Sequence, residues 1–545
     1  MNEAMNQVHD VVVLGGGLAG LTCALQLRQA CPDIDVRVLE RRAQPAPEAV
    51  HKVGESTVEI GAHYFANVLG LESHLTQKHL RKFGFRFFHS DGREDIDRVQ
   101  EIGVSRYLSV PSYQIDRGIF ENFLVVHARE RGITVELDAP VEAIALADSR
   151  SGATMHRIGF RQDGQLREVN ARWVVDASGR QGLLKRQLEL AESNGHEPHA
   201  VWFRVPVRID LESWSSDPGW LGRCEPTQRW RSTNHLVGKG YWVWLIPLSS
   251  GYHSVGIVAD PRLHPLAAMN TFKRAMTWLG EHQPRLARAL TEAAVEPTDF
   301  TFFKRMSYGC RELFSSDRWA ITGEAGVFLD PFYSPGSDFI AIANTYIVDL
   351  IARDRRAEPF GAYVRIYSQL FRSFYESTMT LYQDQYALFG DPEVLAAKVI
   401  WDYTYYWGIL CQLFFQNRLT DLAMLGHVRD PMMSARALND GMQAYFRAWA
   451  KVSAPQNLPQ LLDQAGLPWF EALNRNLPVQ LDDTQFVRRI AESVARLQQL
   501  AAEIMGRVVG EHPAAASWPE TLRVIALAHR QPVGDVELLS YPLSA

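Results

Sequence analysis

Residues 10–20 read Asp-Val-Val-Val-Leu-Gly-Gly-Gly-Leu-Ala-Gly, an apolar run ending in Gly15-x-Gly17-x-x-Gly20. Leu18 and Ala19 fill the variable places of this turn, and Leu21–Ala30 then reads as a helix. Glu40 follows twenty positions after Gly20, behind a second apolar run, Val36–Leu39. Each part has a mechanical reason. Gly15 permits the tight turn, Gly17 lets the backbone approach a pyrophosphate, and Gly20 lets helix and strand pack closely. The helix N-terminus faces the phosphates, and Glu40 can accept from ribose hydroxyls. Strand, helix, second strand and acid in this order predict dinucleotide binding; the alternative is a glycine-rich turn in some other α/β unit.

Further segments carry polar groups at strand ends. Val174-Val-Asp176-Ala-Ser-Gly179-Arg180 puts an acid and small residues where doubly wound sheets bind ligands, although such strand-turns are common. Ala320–Gly326 delivers Glu324 from a short strand, and Asp330-Pro-Phe-Tyr333-Ser334-Pro335-Gly336 then leads into a helix. The free N–H groups at that helix start can stabilise an anion. Lys82 and Arg86 alternate with Phe83, Phe85 and Phe87, which predicts a strand with one cationic and one aromatic face. A desolvated Lys82 would be a nucleophile; on a solvated face it would be ordinary. Trp242 and Trp244 share one strand face, as core packing or as a wall of a site. His196 and His199 read as surface residues of a polar loop, and no P-loop, HExxH or zinc spacing occurs.

These residues need an α/β scaffold. Helices are expected at Thr57–Leu71, Ile115–Arg131 and Ser337–Arg353, the last capped by Ser337 or Asp338. Strands are expected at Arg81–His89, Ile133–Leu137, Val141–Phe160, Glu168–Val175 and Arg318–Thr322, with a strand-rich stretch over 199–260. Beyond about residue 355 the pattern is helical. The expected domains are 1–185 and 301–354 as two parts of a nucleotide-binding domain, 186–300 as a β-rich insertion for substrate, and 355–545 as a helical domain.

The 545 residues exceed one core. With 46% hydrophobic and 22% charged residues the composition is globular, and a net charge of −6 gives no reason to expect nucleic acid or an anionic membrane. Five scattered cysteines without a CxxC fit unpaired thiols in a reducing compartment. With no basic-apolar leader at the N-terminus, a cytoplasmic protein is expected. Val399–Phe415 is the most apolar stretch; it carries Asp402 and is expected as a buried or cleft-lining helix rather than a membrane span.

The fingerprint, the Asp-x-x-Gly turn and the Gly323-Glu324 segment, in this order, resemble the glutathione-reductase-type FAD proteins. More closely they resemble the para-hydroxybenzoate hydroxylase-like monooxygenases and their flavin-dependent halogenase branch. Gly54-Glu55-Ser56-Thr57 looks like that branch's segment beside the flavin, and Trp242-Val-Trp244-Leu-Ile246-Pro247 matches its Trp-x-Trp-x-Ile-Pro signature. Lys82 is similar in placement to the halogenase lysine. The resemblance covers roughly 8–350; Trp401-Asp402 and Trp407–Gln412 extend it loosely toward the pyrrole and phenol halogenases. It implies that Gly15, Gly17, Leu18, Ala19, Gly20, Glu40, Glu55, Ser56, Arg117, Asp176, Gly179, Glu324 and Gly336 hold FAD. Tyr333, Ser334, Pro335, Gly336, Trp242 and Trp244 would serve halide and substrate, and Lys82 would direct hypohalous acid to an electron-rich ring. The implied partners are a reductase supplying FADH2, chloride or bromide, and a small phenol, pyrrole or indole, free or tethered to a carrier protein. No metal is implied.

Some residues depart from the family. Tyr333 stands where tryptophan halogenases have Glu, which argues against free tryptophan. Pro335 replaces a common Thr and donates no N–H, and Asp338 would repel an anion if ionised nearby. Glu324 stands where Asp is usual. Pro335 and Asp338 favour a hydroxylating monooxygenase as the alternative, while Lys82 and the paired tryptophans favour halogenation. A non-catalytic flavoprotein is the third class.

Overall fold

The computed structural model describes residues 8–43, 45–47, 54–147 and 154–528. The chain divides into two compact units, Met1–His79 with Ile115–Asn194 and Ser307–Tyr375, and Leu80–Gln114 with Gly195–Met306 and Glu376–Ala545.

The first unit is a doubly wound sheet. Its strands run Thr134–Glu136, Val36–Leu39, Val8–Leu14, Gln165–Asp176, with Trp319–Ile321 on the far side of the last. All four pairings are parallel. Parallel strands covered by helices read as continuous apolar runs, and Val11, Val12, Val13 and Leu14 are fully buried. The long strand Gln165–Asp176 also pairs antiparallel with His156–Gln162, which pairs with Val141–Ala145. The expected strand Val141–Phe160 is thus two strands, and 148–153 lie outside the described residues. Helices Leu18–Ala30 and Gly336–Arg355 are joined by Asn344, whose amide donates to Ala19 O at 3.2 Å while Thr322 Oγ1 donates to its Oδ1 at 2.7 Å.

The expected helix Thr57–Leu71 is instead Glu59–His63 running into a wide turn at Tyr64–Val68, and a separate helix spans Glu72–Lys78. The helix expected from Ser337 starts at Gly336 with no side-chain cap. Asp338 Oδ1 accepts instead from Gly61 N at 2.8 Å, so a contact distant in sequence displaces the local cap.

The second unit is built on an eight-stranded sheet that includes His199–Val205, His253–Ala259, Tyr241–Pro247, Thr233–Gly238 and Phe85–Phe88 in that lateral order. Val201, Phe203, Val243, Val255 and Ile257 face a core closed by Trp220, Trp278 and Leu286. The last strand, Leu461–Asp463, lies within the stretch expected to be helical and pairs parallel with Glu101–Gly103. The remainder after 376 is largely helical. Asp391 caps Pro392–Tyr405, and a capping box of Asp482 and Gln485 starts the long helix Asp483–Glu511.

Val399–Phe415 is helical and buried as expected. Its Asp402 pairs with Lys398 at 2.7 Å, and Gln443 bonds both. Among the described residues no helix is long and apolar enough to cross a membrane. Among the described residues, none of the five cysteines is in a disulfide.

Candidate functional site

In the first unit, the strand Val8–Leu14 delivers the glycine turn to the carboxyl edge of the sheet. Gly15 has φ +110° and donates to Leu39 O at 2.8 Å. A Cβ on Gly20 would collide with the carbonyl oxygen of Gly15, so glycine is what lets the helix start against its own strand. Gly17 is the N-cap, Leu18 and Ala19 form the first turn, and no side chain caps the helix. Its leading N–H groups therefore remain available to an anion. Glu40 is buried, and its Oε2 accepts from Gly16 N at 2.7 Å. Its Oε1 accepts from Arg42 N and Nε at 2.9 and 3.0 Å.

Arg42 continues this line to Glu121 at 3.1 Å, and Glu121 bonds Arg117 at 2.7 Å. Arg117 also donates to Gly54 O at 3.5 Å. Glu55 and Ser56, next to Gly54, are buried, and Glu55 O accepts from Ile115 N at 2.6 Å. The structure thus joins Glu40, Arg117 and the Gly54–Ser56 segment through Arg42 and Glu121. Neither bridging residue was foreseen. The signal was present: Arg42 lies two residues after Glu40, and Glu121 lies one helical turn after Arg117.

Asp176 has a structural task in the turn where it sits. Its Oδ1 accepts from Ser178 N at 2.9 Å and its Oδ2 from Leu184 N at 2.7 Å. Burial raises its carboxyl above the usual range. Gly179, at φ +63°, begins the short turn to Gln181. Glu324 pairs with Arg180 at 3.1 Å, and Arg180 lies over the Phe328 ring at 4.6 Å. Lys185, also unforeseen, donates to Gly326 O at 2.9 Å and sits 3.9 Å from the Tyr308 ring centroid. Burial lowers its ammonium to about 8.

Ser334 has φ +52°, and Pro335 is the N-cap of Gly336–Arg355. A Cβ on Gly336 would meet open space. Tyr333 packs on Phe332 at 4.8 Å. The anion-favouring end of this helix is therefore open at Gly336, with one donor missing at Pro335 and with Asp338 engaged by Gly61.

In the second unit, the expected strand Arg81–His89 is broken. Leu80–Arg81 and Phe85–Phe88 are strands, and Gly84 between them has φ +67°. The turn cancels the alternation, so Lys82 does not share a cationic face with Arg86. Lys82 is 4% exposed, and its Nζ lies 3.3 Å from the Phe85 ring centroid. Phe85 is 5.3 Å from the His235 ring, and His235 is 5.2 Å from Trp242. Trp242 donates from its indole to Tyr386 OH at 3.1 Å, and Trp244 to Ser254 Oγ at 3.1 Å. An amine is thus held against a continuous aromatic surface.

Arg86 is equally buried but bound elsewhere. It pairs with Glu101 and donates to Val104 O at 2.6 Å, while Arg229 holds Glu101 at 2.8 Å. The solvated-face reading of Lys82 and Arg86 fails for both. His196 and His199, expected at the surface, are buried as well. His196 packs on Tyr386 at 5.6 Å, and His199 opens the strand His199–Val205.

The cradle fits a flavin dinucleotide: a glycine turn with no room for Cβ, uncapped helix N–H groups and a buried acid beside them. The FAD binding domain family matches residues 8–250. The flavin-dependent halogenase chlA of Dictyostelium discoideum is 24% identical over 465 residues, covering 76% of this chain and 73% of the relative. The 1H-pyrrole-2-carbonyl-[peptidyl-carrier protein] chlorinase of Pseudomonas fluorescens is 27% identical over 357 residues, covering 60% and 72%. Among solved structures, that of halogenase PltM in complex with phloroglucinol and FAD has TM-score 0.62 at 17% identity, covering 96% of this chain and 98% of the other. Fingerprint, fold and relatives agree: the chain carries an FAD binding domain and is similar in sequence to flavin-dependent halogenases.

Proposed function

We propose that the protein uses reduced FAD, dioxygen and chloride or bromide to halogenate an electron-rich phenol, pyrrole or indole in secondary metabolism. Bound FAD supplies the redox chemistry, whose product with halide is hypohalous acid. The protein's residues bind, orient and dry the reaction. Gly15–Gly20 with Glu40 hold the dinucleotide, assisted by Glu55, Ser56, Arg117, Asp176, Gly179 and Glu324. Asp176 acts through the turn it folds rather than by contact. Ser334, Gly336 and the N–H groups at the start of that helix hold the halide.

Lys82 is the catalytic residue. Its amine hydrogen-bonds hypohalous acid, or displaces hydroxide from it to form a haloamine, and passes the halogen to the ring. The displaced hydroxide leaves as water with the proton lost from nitrogen. Trp242 and Trp244 wall the region, and Tyr333 contributes to substrate fit. The observation that carries this reading is a buried amine lying on an aromatic surface that contains the Trp-x-Trp-x-Ile-Pro strand. A hydroxylating monooxygenase is the second reading, which the missing N–H at Pro335 favours.

The reduced flavin comes from a separate reductase, because no second dinucleotide fingerprint occurs in the sequence. The substrate is free or carrier-tethered, and the setting is cytoplasmic. Protein, FAD, a flavin reductase, NADH, bromide and a panel of phenols and pyrroles are incubated together and products are read by mass spectrometry. A halogen-for-hydrogen product supports the proposal; an added oxygen alone overturns it.

A further inference from the structure

The helical part of the second unit contains a cleft open to solvent. Ile102, Ile400, Trp449, Leu462 and Ile504 wall it, and each is at most 4% exposed. Ala396 and Ala397 face it from the helix Pro392–Tyr405, and their short side chains leave the space. Glu393 from the same helix and Arg507 and Glu511 from Asp483–Glu511 supply its charge. Arg507 is already paired with Glu503 at 2.9 Å, so carboxylates outnumber the cation.

The imbalance is felt by Glu393. Burial raises its carboxyl, Glu511 and Asp391 raise it further, and the Gln456 backbone and His512 oppose them. An acid crowded by other acids beside an apolar wall is a place where a positive charge is stabilised. Trp449 adds a flat aromatic face, on which a cation is also favoured.

We propose that this cleft binds a small amphipathic amine, with one aromatic ring or a short alkyl chain against the apolar wall and the ammonium between Glu393 and Glu511. The cleft shares no lining residue with the Lys82 group, and the proposal does not depend on the halogenase reading. A phosphate or carboxylate ligand would face the carboxylates, and a purely apolar one would leave them unanswered.

The test is titration calorimetry on the full chain loaded with FAD, using phenethylamine, phenethyl alcohol and phenylacetate. The amine binds about tenfold or more tightly than the alcohol, and phenylacetate binds least. Glu511→Gln, at the exposed rim, weakens the amine about tenfold without moving the melting temperature. Ala397→Phe fills the space and removes binding while FAD uptake is retained. Equal affinity for amine and alcohol overturns the proposal, as does amine binding unchanged by Glu511→Gln or no amine binding up to about 10 mM. If Ala397→Phe does not fold, Glu511→Gln decides alone.

Discussion

Replacing Lys82 by Met separates chemistry from folding. Lys82 is 4% exposed, with Nζ 3.3 Å from the centroid of the Phe85 ring. Taking an ammonium out of water costs several kcal/mol. The cation–π contact returns about 2 kcal/mol at most. Met has nearly the same length, carries no charge and keeps a favourable sulfur contact with the ring. Because the substitution conserves volume and the ring contact, it is expected to cost the fold less than about 1.5 kcal/mol. Halogenation falls more than about 1000-fold, because no amine remains to hold the oxidant; that is about 4 kcal/mol of transition-state stabilisation. Thermal melting reads the first quantity, and mass spectrometry of a reductase-coupled bromination reads the second. NADH oxidation stays near the original rate. Lys82→Arg keeps the charge but cannot become a neutral nucleophile, so it fails as well. If Lys82→Met melts far lower, with activity falling in step, the lysine is structural; if it still brominates, the role assigned to Lys82 is wrong.

Gly20→Val places side-chain atoms against the Gly15 carbonyl, so the variant should purify without flavin absorbance; a yellow preparation contradicts the cradle. Glu101→Gln leaves Arg86 and Arg229, both fully buried, without their shared carboxylate, and urea unfolding should show a loss of about 3–5 kcal/mol. Burial alone would raise Glu101, but the two arginines outweigh it and hold the carboxyl below its ordinary range. Its stabilising share is therefore full above the unfolded value of about 4.3 and fades as pH falls through the lower folded value. His79, His89 and His253 are lowered to about 3, chiefly by burial. They stay neutral in the fold while the unfolded chain takes up protons near pH 6.5, so stability is complete above about 6.5 and declines toward pH 3. A melting temperature that is the same at about pH 7 and pH 5 would contradict this linkage.

What could be read in advance was what neighbours in sequence determine. The turn from Gly15 to Gly20 depends on residues a few positions apart, and the pairing of Val36–Leu39 with Val11–Leu14 brings Glu40 to it. The same holds for Trp242 and Trp244, where a period of two put both rings on one side. The surroundings of Lys82 were not readable in this way. One left-handed residue, Gly84, reverses the expected faces, and Arg86 finds its partner only when Glu101 and Arg229 come together from separate segments. His196 and His199 looked polar and exposed because nothing near them in sequence announces Tyr386, which covers His196. The cap of Gly336–Arg355 failed for a related reason: a distant main-chain N–H competed successfully for Asp338.

Buried charge is satisfied by more than one means, and this bears on which residues do chemistry. In the first unit, Asp176 is answered by the main-chain N–H groups of Ser178 and Leu184 and Asp338 by that of Gly61, while Glu40 accepts from Gly16 and Arg42 N and from the Arg42 guanidinium. Backbone donors spread the negative charge of these acids, and the Arg42 guanidinium offsets that of Glu40, so an anionic pyrophosphate can lie nearby at lower electrostatic cost. In the second unit, buried charges answer each other through side chains, as in Arg86–Glu101–Arg229 and Lys398–Asp402. At Glu101 the two arginines outweigh burial and hold the carboxyl below its ordinary range, whereas burial lowers the Lys398 ammonium in spite of Asp402. Lys82 shows a further setting: its amine lies 3.3 Å from the centroid of the Phe85 ring, whose face attracts a cation. The proposed chemistry asks this amine to act as a nucleophile, which requires its lone pair.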